Sequence, residues 1–207
     1  MSAATQLAGG LLALDPGAQD LLFRQARTAN AFTAEPVSEA QVRAIHDLVS
    51  AGPTAYNSQP LRIVLVRSAA GRQRLLPYLS RGNRDKTAAA PLVAILAADA
   101  GFHELLPEVF PHRPEARDWF VGDYAGRVDQ ARFNATLQAG YFLLGVRAAG
   151  LAAGPMAGFD AAGVDRDFFA GTGYRSLLVV NIGRPAADAW RPDRLPRLAY
   201  DRVVHTV

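Results

Sequence analysis

Cysteine is absent from the 207-residue sequence, and lysine is represented by one residue, Lys86. Without thiols the chain has no disulfide, no iron–sulfur cluster and no cysteine nucleophile. Four histidines occur, but no two of them stand three or four residues apart, as paired metal ligands on a helix do. The sequence therefore predicts neither a metal site nor thiol chemistry.

The chain also lacks long apolar runs and any concentration of basic residues. Its longest apolar stretch, residues 91–98, is too short to cross a bilayer, and residues 1–19 lack the basic segment that opens a signal peptide. The formal net charge is only +3, and the arginines are scattered. We therefore expect a cytoplasmic protein that binds neither membrane nor nucleic acid, with residues 1–19 forming a loose arm or a first helical turn.

The chain does have enough apolar material for a core, since half of its residues are hydrophobic and a fifth are charged. Neither a repeat nor a low-complexity linker divides it, which predicts a single domain over residues 1–207. Ser38 and Gln41 form a capping-box pattern, and apolar residues then recur at helical spacing to about Ser50. Gly52 and Pro53 end that helix.

The remaining local patterns predict helices between singly placed strands. The runs at residues 61–66, 91–97 and 177–182 predict strands, and the middle one is apolar throughout, as in a fully buried strand. Helices are predicted at residues 20–29, 70–79 (interrupted by Pro77), 127–149 and 164–169, a connection or short helix at 83–89, and a Gly-rich turn at 154–160. This order favours α+β, or α/β with an unusual sheet.

Two segments stand apart from ordinary surface elements. Residues 102–124 hold three prolines, two histidines, Trp119, Phe120 and Tyr124 without a clean period, which predicts an irregular excursion or lid. The helix at residues 127–149 is apolar nearly all round, so it must be buried on nearly every side. In a chain of this size, that pattern indicates a central helix or one packed against a partner chain.

Nucleophile and nucleotide signatures do not account for the chain. A nucleophile elbow, G-x-S-x-G, is absent, which disfavours a hydrolase. Residues 171–176 superficially approach a dinucleotide fingerprint, yet they precede a strand instead of following one. We therefore interpret them as a turn.

Four polar clusters remain as candidate binding elements. They are Arg27-Thr28-x-Asn30, the loop Pro53-Thr54-Ala55-Tyr56-Asn57-Ser58-Gln59-Pro60, Asn83-Arg84-Asp85-Lys86, and Arg194-Leu195-Pro196-Arg197. Each offers charged or hydrogen-bonding side chains on a short stretch of backbone, and arginine in particular binds phosphate bidentately. A single polar loop says little, but four in a fixed order are informative.

In this order and spacing, the clusters resemble the FMN-dependent nitroreductase family, and most closely its malonic semialdehyde reductase branch. The resemblance runs from about residue 20 to about residue 200. Its further segments are Gly52-Pro53-Thr54, Gly82-Asn83-x-x-Lys86-Thr87, residues 105–112, Asp118-Trp119-Phe120, residues 154–160, residues 167–171 and Asn181-Ile182-Gly183. The resemblance implies an α+β fold with a mixed central sheet flanked by helices, in an intertwined homodimer that binds FMN in two grooves at the subunit interface.

The resemblance also implies a set of FMN-binding residues. Five residues would contact the FMN phosphate and the ribityl or pyrimidine edge: Arg27, Thr28, Asn30, Arg194 and Arg197. Those implied along the pyrimidine ring are Asn83 and Lys86. Four residues would reach the flavin from the other subunit: Pro53, Thr54, Ala55 and Asn57. Four more would lie near the flavin N5: Pro155, Met156, Ala157 and Gly158.

The chemistry implied is a two-step hydride transfer from NADPH or NADH, through the flavin, to a small carbonyl or nitro substrate. The cofactor carries the difficult step, so we name no catalytic residue. The branch implies reduction of malonic semialdehyde to 3-hydroxypropionate in pyrimidine degradation. The sequence of residues 56–60 is closer to that of general nitroreductases, which leaves a broad nitroreductase or quinone reductase as the alternative. Asn30 and Ala157 stand where many members have a basic residue and a glutamate, which leaves a non-catalytic flavin-binding protein as a further alternative.

Overall fold

The computed structural model describes residues 11–191 and 193–207. Four strands form one sheet in the order β1-β2-β4-β3, with β1 at Leu61–Val66, β2 at Leu92–Asp99, β3 at Ala152–Met156 and β4 at Tyr174–Gly183. Helices and this sheet confirm the α+β class. The predicted mixed sheet is wrong for the described strands, which all pair antiparallel. A parallel pair needs a crossover that returns the chain to the same end of the sheet, and the connections here leave neighbouring strands running in opposite directions.

Helices occupy the segments around these strands. They are α1 at Pro16–Gln19, α2 at Glu39–Val49, α3 at Ala69–Leu75, α4 at Arg81–Ala89, α5 at Leu106–Val109, α6 at Tyr124–Ala148, α7 at Ala161–Phe168 and α8 at Tyr200–Val203. At the start of α2 the Ser38 hydroxyl accepts from the Gln41 N–H at 3.1 Å, and the Gln41 side chain accepts from the Ser38 N–H at 2.9 Å. The predicted capping box is thus confirmed. Within the described ranges, no helix has the length and apolarity that a bilayer crossing requires.

The chain before α2 differs from the sequence prediction. The Asp15 side chain caps α1, so residues 16–19 form a helical turn, one of the two expectations for the start of the chain, while residues 1–10 lie outside the described residues. A π-helical turn at Asp20–Arg24 follows, and the helix ends there instead of reaching residue 29. The reason is non-local pairing, because the Ala29 N–H donates to the Ala153 carbonyl at 3.0 Å.

A second correction concerns the predicted Gly-rich turn at residues 154–160. Its first part belongs to strand β3, and only residues 157–160 turn before α7. The sequence did not predict this strand, because it contains Gly154 and Pro155, and both residue types are rare inside a sheet. β3 lies at the edge of the sheet, where the missing N–H of Pro155 removes no bond that a second neighbouring strand would need.

Strand β2 is the centre of the core, and all eight of its residues are buried, as the apolar run predicted. Its side chains alternate between two faces. Leu96 and its even-numbered neighbours pack in one cluster with Phe142 of α6. Ile95 and its odd-numbered neighbours pack in another with Val164 of α7. The sheet is therefore covered by helices on both faces.

The excursion at residues 102–124 folds into short helical turns. A 3₁₀-helix at Phe102–Leu105 leads into α5, and a second 3₁₀-helix at Pro114–Phe120 precedes α6. The rings of Phe102 and Phe120 pack edge to face, with centroids 5.1 Å apart. With Ala131 they belong to a small third core against the first turns of α6, so the excursion is seated on that helix.

Candidate functional site

Residues 27–30 are non-helical and lie against the edge strand β3. The Ala29 bond to Ala153 and a bond from the Asn30 N–H to the Ala189 carbonyl, at 2.9 Å, hold them there. Gly154 makes the approach possible, since a Cβ at that position would lie 2.6 Å from the Ala29 carbonyl oxygen. Glycine in a strand often marks such a close approach of two backbones. The predicted cluster at residues 27–30 is therefore fixed by backbone contacts rather than by a helix.

A cavity of about 330 Å³ opens beside this segment, and we call it the cationic groove. Its lining residues are Ala26, Arg27, Thr28, Asn30, Lys86, Arg191, Asp193, Arg194, Leu195 and Arg197. An adjoining cavity of about 300 Å³, the apolar arm, shares part of this lining. The arm adds Leu22, Gly140, Leu143, Leu144, Arg147, Ala153 and Pro155. The structure thus brings the first and last predicted clusters together with the sole lysine.

Five of the six cationic side chains that line the two cavities donate hydrogen bonds to carbonyl oxygens. Arg27 donates to the Arg191 and Asp193 carbonyls, and Arg194 donates to the Ala26 carbonyl at 3.1 Å. In the part of the chain that the structure describes, six lining cations form no ion pair within 4.0 Å: Arg27, Lys86, Arg147, Arg191, Arg194 and Arg197. Asp193 contributes a negative charge to the lining, so the groove carries a large net positive charge.

Lys86 lies in the last turn of α4, and its ammonium donates to the Asn30 side-chain carbonyl at 3.4 Å. Burial lowers the pKa of Lys86, and the positive charge of Arg191 lowers that pKa further. Burial likewise lowers the pKa of Arg147, with an added contribution from Arg194. An anion bound between these groups would favour their charged forms and offset both effects. The site is electrostatically prepared for a negatively charged ligand.

Asn83 lies one turn before Lys86 on α4 and connects that helix to the chain after β3. Its amide donates to the Gly158 carbonyl at 3.1 Å. A Cβ at Gly158 would lie 2.9 Å from the Ser80 hydroxyl, so the turn passes close to the start of α4. Asn83 and Gly158 border the site without lining the cationic groove.

The end of β3 is tied to α4 from the other side. Met156 is buried, and its sulfur accepts from the Thr87 hydroxyl at 3.8 Å. The Asn181 amide of β4 donates to the same hydroxyl at 3.1 Å. Pro155 lines the apolar arm, while Ala157 is exposed just beyond the strand. Of the four residues predicted here, Pro155 lines the apolar arm, whereas Met156, Ala157 and Gly158 line neither cavity.

The predicted cluster Pro53, Thr54, Ala55 and Asn57 lies elsewhere and lines neither the cationic groove nor the apolar arm. The Ala55 N–H donates to the buried Asn134 side chain of α6 at 2.7 Å. The Asn57 amide donates to the Val109 carbonyl of the excursion at 2.7 Å. Within one chain, therefore, this loop belongs to α6 and the excursion rather than to the groove.

Tyr56 gives that loop an unusual backbone. Its φ is 56°, in the left-handed region that bulky side chains seldom adopt. The ring packs edge to face against Phe110, Trp119 and Phe120, with centroids 5.8 to 5.9 Å away. Such contacts offset a strain of about 1–3 kcal/mol. Strain held in place by packing is frequent at binding sites, and it makes this loop a second candidate element.

Two cationic lining residues, Arg147 and Arg191, are not among the residues predicted from the sequence. Arg147 ends the helix that the sequence did predict, and its guanidinium donates to the Leu21 carbonyl at 2.6 and 2.8 Å. Arg191 stands three residues before Arg194 in the same tail, and that spacing was the available signal. No local pattern marks Arg147, because its role depends on the fold bringing α6 to residues 21–27.

Comparison with known proteins identifies relatives that match nearly the whole chain. A Streptomyces griseus protein named NADH dehydrogenase/NAD(P)H nitroreductase is 61% identical over 196 residues, which cover 95% of this chain and 99% of that relative. A Streptomyces coelicolor protein of the same type of name is 62% identical over 196 residues, with the same coverage. The chain is thus similar to these relatives over nearly its whole length.

Solved structures show the same fold. A Bacillus subtilis nitroreductase has a TM-score of 0.79 at 22% identity, covering 90% of this chain and 97% of that one. An Exiguobacterium sibiricum nitroreductase, solved in complex with FMN, has a TM-score of 0.79 at 17% identity, covering 91% and 96%. The nitroreductase family model matches residues 23–184. This chain therefore belongs to the nitroreductase family.

Proposed function

We propose that this protein is an FMN-dependent NAD(P)H oxidoreductase. The observation that carries the proposal is the cationic groove together with its apolar arm, whose six lining cations form no ion pair within 4.0 Å in the described part of the chain. Partly buried like charges are costly unless a ligand neutralises them. A phosphate monoester carries about −1.5 to −2 charge at pH 7 and offers three strong acceptor oxygens. A phosphorylated cofactor is therefore the ligand that the groove suits.

The residues of the groove suit the phosphate and the ribityl chain of FMN. Arg27, Arg194 and Arg197 would hold the phosphate, because guanidinium groups match its geometry bidentately. Thr28 and Asn30 would supply polar contacts to the ribityl chain or the pyrimidine edge. When bound, FMN supplies hydride transfer between NAD(P)H and an acceptor, while the chain supplies binding, orientation and charge.

The other predicted residues would surround the ring system. Lys86, with Asn83 behind it, would lie along the pyrimidine ring, where an ammonium favours the negative charge gained on reduction. Pro155 in the lining, with Met156, Ala157 and Gly158 following it, would border the N5 side. Leu143 and Leu144 give the apolar arm a surface on which an aromatic ring system can be buried.

The proposal includes a homodimer. Phe133, Leu137 and Tyr141 stand four residues apart on α6 and are 65, 45 and 42% exposed. An apolar stripe of this length on one face of a helix is typical of a protein interface. A partner chain would cover it, and the partner's loop at residues 53–57 would then reach the flavin. This arrangement reconciles the predicted cofactor contacts of that loop with its distance from the groove in one chain.

The double substitution Phe133→Asp and Leu137→Asp tests the dimer, because two carboxylates cannot be buried unpaired in an apolar interface. We expect sedimentation to show a dimer for the wild type and a monomer for the variant. The control is Thr136→Asp, which adds charge to an exposed position of the same helix. A variant that remains dimeric would contradict this interface.

For the substrate we propose malonic semialdehyde, reduced to 3-hydroxypropionate. The support is the motif resemblance, together with the excess positive charge around the groove, which suits a small carboxylate-bearing aldehyde. A nitroaromatic or quinone acceptor is the second candidate. It is favoured by the aromatic cluster around Tyr56 and by the names of the Streptomyces relatives. The same proposal includes a cytoplasmic location, where the dinucleotide reductants are supplied.

Two measurements test the function. The first is titration of the FMN-free protein with FMN, for the wild type and for Arg27→Ala; we expect the variant to bind at least roughly tenfold more weakly, as for loss of a charge-assisted hydrogen bond. The second compares kcat/KM for malonic semialdehyde with kcat/KM for a nitroaromatic and a quinone. A higher value for the aldehyde supports the first candidate, and a higher value for the aromatic acceptors supports the second. FMN binding without turnover of any acceptor would instead indicate a non-catalytic flavin-binding protein.

A further inference from the structure

A second groove lies beside the cationic groove, and its lining is rich in arginine. Its volume is about 510 Å³, and the side chains that matter are Arg24, Arg27, Arg147, Arg194 and Trp190. We infer that this arginine–tryptophan groove binds the phosphorylated adenosine end of the reductant, and that it selects NADPH over NADH. The inference rests on the proposed function, because it specifies how the reductant of the same site is held.

The charge around the grooves exceeds what FMN requires. Among the residues that the structure describes, six of the cations form no ion pair with a carboxylate, and Arg24 adds a further cation that pairs with Asp20 at 2.9 Å. The FMN phosphate supplies about −1.5 to −2 charge at pH 7. Even with Asp193 included, several positive charges remain without an anion. Within the described residues, no acidic side chain lines the arginine–tryptophan groove, so a second polyanionic ligand would offset the remaining repulsion.

The position of the groove suits a dinucleotide that reaches the flavin. Arg27 and Arg194 line both this groove and the cationic groove. Arg147 lines this groove and the apolar arm, which also contains Pro155. A ligand seated here is therefore adjacent to the proposed flavin site. Its charged end would lie among the arginines, and the apolar arm would remain available for ring systems.

Trp190 gives the groove a surface for a nucleobase. It packs against Ala29, Ala152 and Ala189, so its indole is held by the protein while part of it remains accessible. Aromatic faces stack nucleobases without requiring a particular sequence or hydrogen-bond pattern. An arginine-lined groove that also holds a fixed indole matches an adenosine with a phosphate attached.

The choice of NADPH follows from Arg24. NADPH differs from NADH by a 2′-phosphate, and arginine binds such a group bidentately. Arg24 is half exposed, and it lines the arginine–tryptophan groove but neither of the other two cavities. Its guanidinium takes no part in the proposed FMN contacts and donates to the Asp20 carboxylate at 2.9 Å and to the Gln19 side chain. We assign it to the 2′-phosphate, which would take the place of these two neighbouring partners.

Calorimetric titration of the full-length, FMN-loaded protein with 2′,5′-ADP and with 5′-AMP tests the inference. We expect 2′,5′-ADP to bind roughly tenfold or more tightly, as for one additional charge-assisted contact. Arg24→Gln should remove this difference in affinity, because glutamine has no positive charge to bind the 2′-phosphate. The variant should still fold, since the surface ion pair between Arg24 and Asp20 contributes little to stability. The matched control is Arg43→Gln, which changes the net charge equally at an exposed position of α2. It should leave both affinities unchanged.

Equal affinities for the two nucleotides would overturn the inference, as would an Arg24→Gln variant that still discriminates between them. Steady-state kinetics give an independent readout: the ratio of kcat/KM for NADPH to that for NADH should fall in Arg24→Gln and stay constant in Arg43→Gln. A protein that cannot bind FMN would overturn the proposed function instead. Titration of the FMN-free protein with the two nucleotides would then still decide whether the groove recognises a 2′-phosphate.

Discussion

The close approach at Gly154 gives a prediction that links packing to cofactor binding. In Gly154→Ala the new methyl group would lie 2.6 Å from the Ala29 carbonyl oxygen, well inside any normal contact. Either β3 or residues 27–30 must move, and the 3.0 Å hydrogen bond between Ala29 and Ala153 must lengthen. Overpacking of this kind costs typically about 1–3 kcal/mol. For a chain of this length, that lowers the Tm by roughly 2–12 °C.

The matched control is Gly82→Ala. Gly82 lies in α4, and a Cβ there would have no heavy atom within 4 Å. The substitution reduces the conformational freedom of the unfolded chain, so we expect a gain of about 0.4–1 kcal/mol. The same chemical change, glycine to alanine, should thus have opposite effects on the Tm at the two positions.

Thermal unfolding of the FMN-free variants measures both effects, and FMN titration measures the consequence for the site. Because Arg27 and Asn30 lie within two residues of Ala29, Gly154→Ala should also weaken FMN binding, by roughly tenfold if one charge-assisted contact is lost. A Tm and an FMN affinity equal to those of the wild type would refute the claim that residues 27–30 are fixed by their packing against β3.

Further predictions concern Lys86 and Asn134. Burial lowers the pKa of Lys86 in the folded protein, so the unfolded state binds this proton more tightly, and the stability of the FMN-free protein should rise with pH just below the usual lysine range. Chemical denaturation at several pH values should show this rise in the wild type and its loss in Lys86→Ala. In the FMN-loaded protein, Lys86→Ala should lower the flavin midpoint potential and slow reduction by NADPH, and unchanged values of both would contradict the role assigned to this ammonium. Asn134→Ala leaves the Ala55 N–H without its 2.7 Å acceptor and should cost about 1–3 kcal/mol in denaturant unfolding, whereas the exposed Thr136→Ala should cost much less.

Elements with a strong local signal were predictable from the sequence. Strand β1 has the predicted bounds, and the apolar run that forms β2 is fully buried. The capping box at Ser38 fixed the start of α2 because both of its hydrogen bonds lie within four residues of chain. In each case the residues that determine the structure are neighbours in sequence.

Elements that depend on distant contacts were not predictable. The segment at residues 20–29 has helical composition, yet residues 26–29 are not helical because Ala29 bonds to Ala153 across the fold. β3 contains Gly154 and Pro155, which local propensity assigns to a turn. Both errors have one cause, since the two segments pair with each other and neither pattern reveals the pairing.

The candidate site divides in the same way. The motif resemblance selected Arg27, Lys86 and Arg194, and the structure brings them to one groove. Arg147 could not be selected, because only the packing of α6 against the π-helical turn places it in the lining. Residues 53–57 were predicted at the flavin but lie on α6 within one chain. Their role depends on a second chain, which stays a prediction.

Anaerobic reduction of the purified protein tests the central claim most directly. The protein, supplemented with FMN and then separated from unbound cofactor, should retain a yellow flavin spectrum that bleaches when NADPH is added without oxygen. The result predicted is retention of bound FMN and complete bleaching by NADPH. A colourless protein that cannot retain FMN, or a bound flavin that neither NADPH nor NADH reduces, would contradict the account.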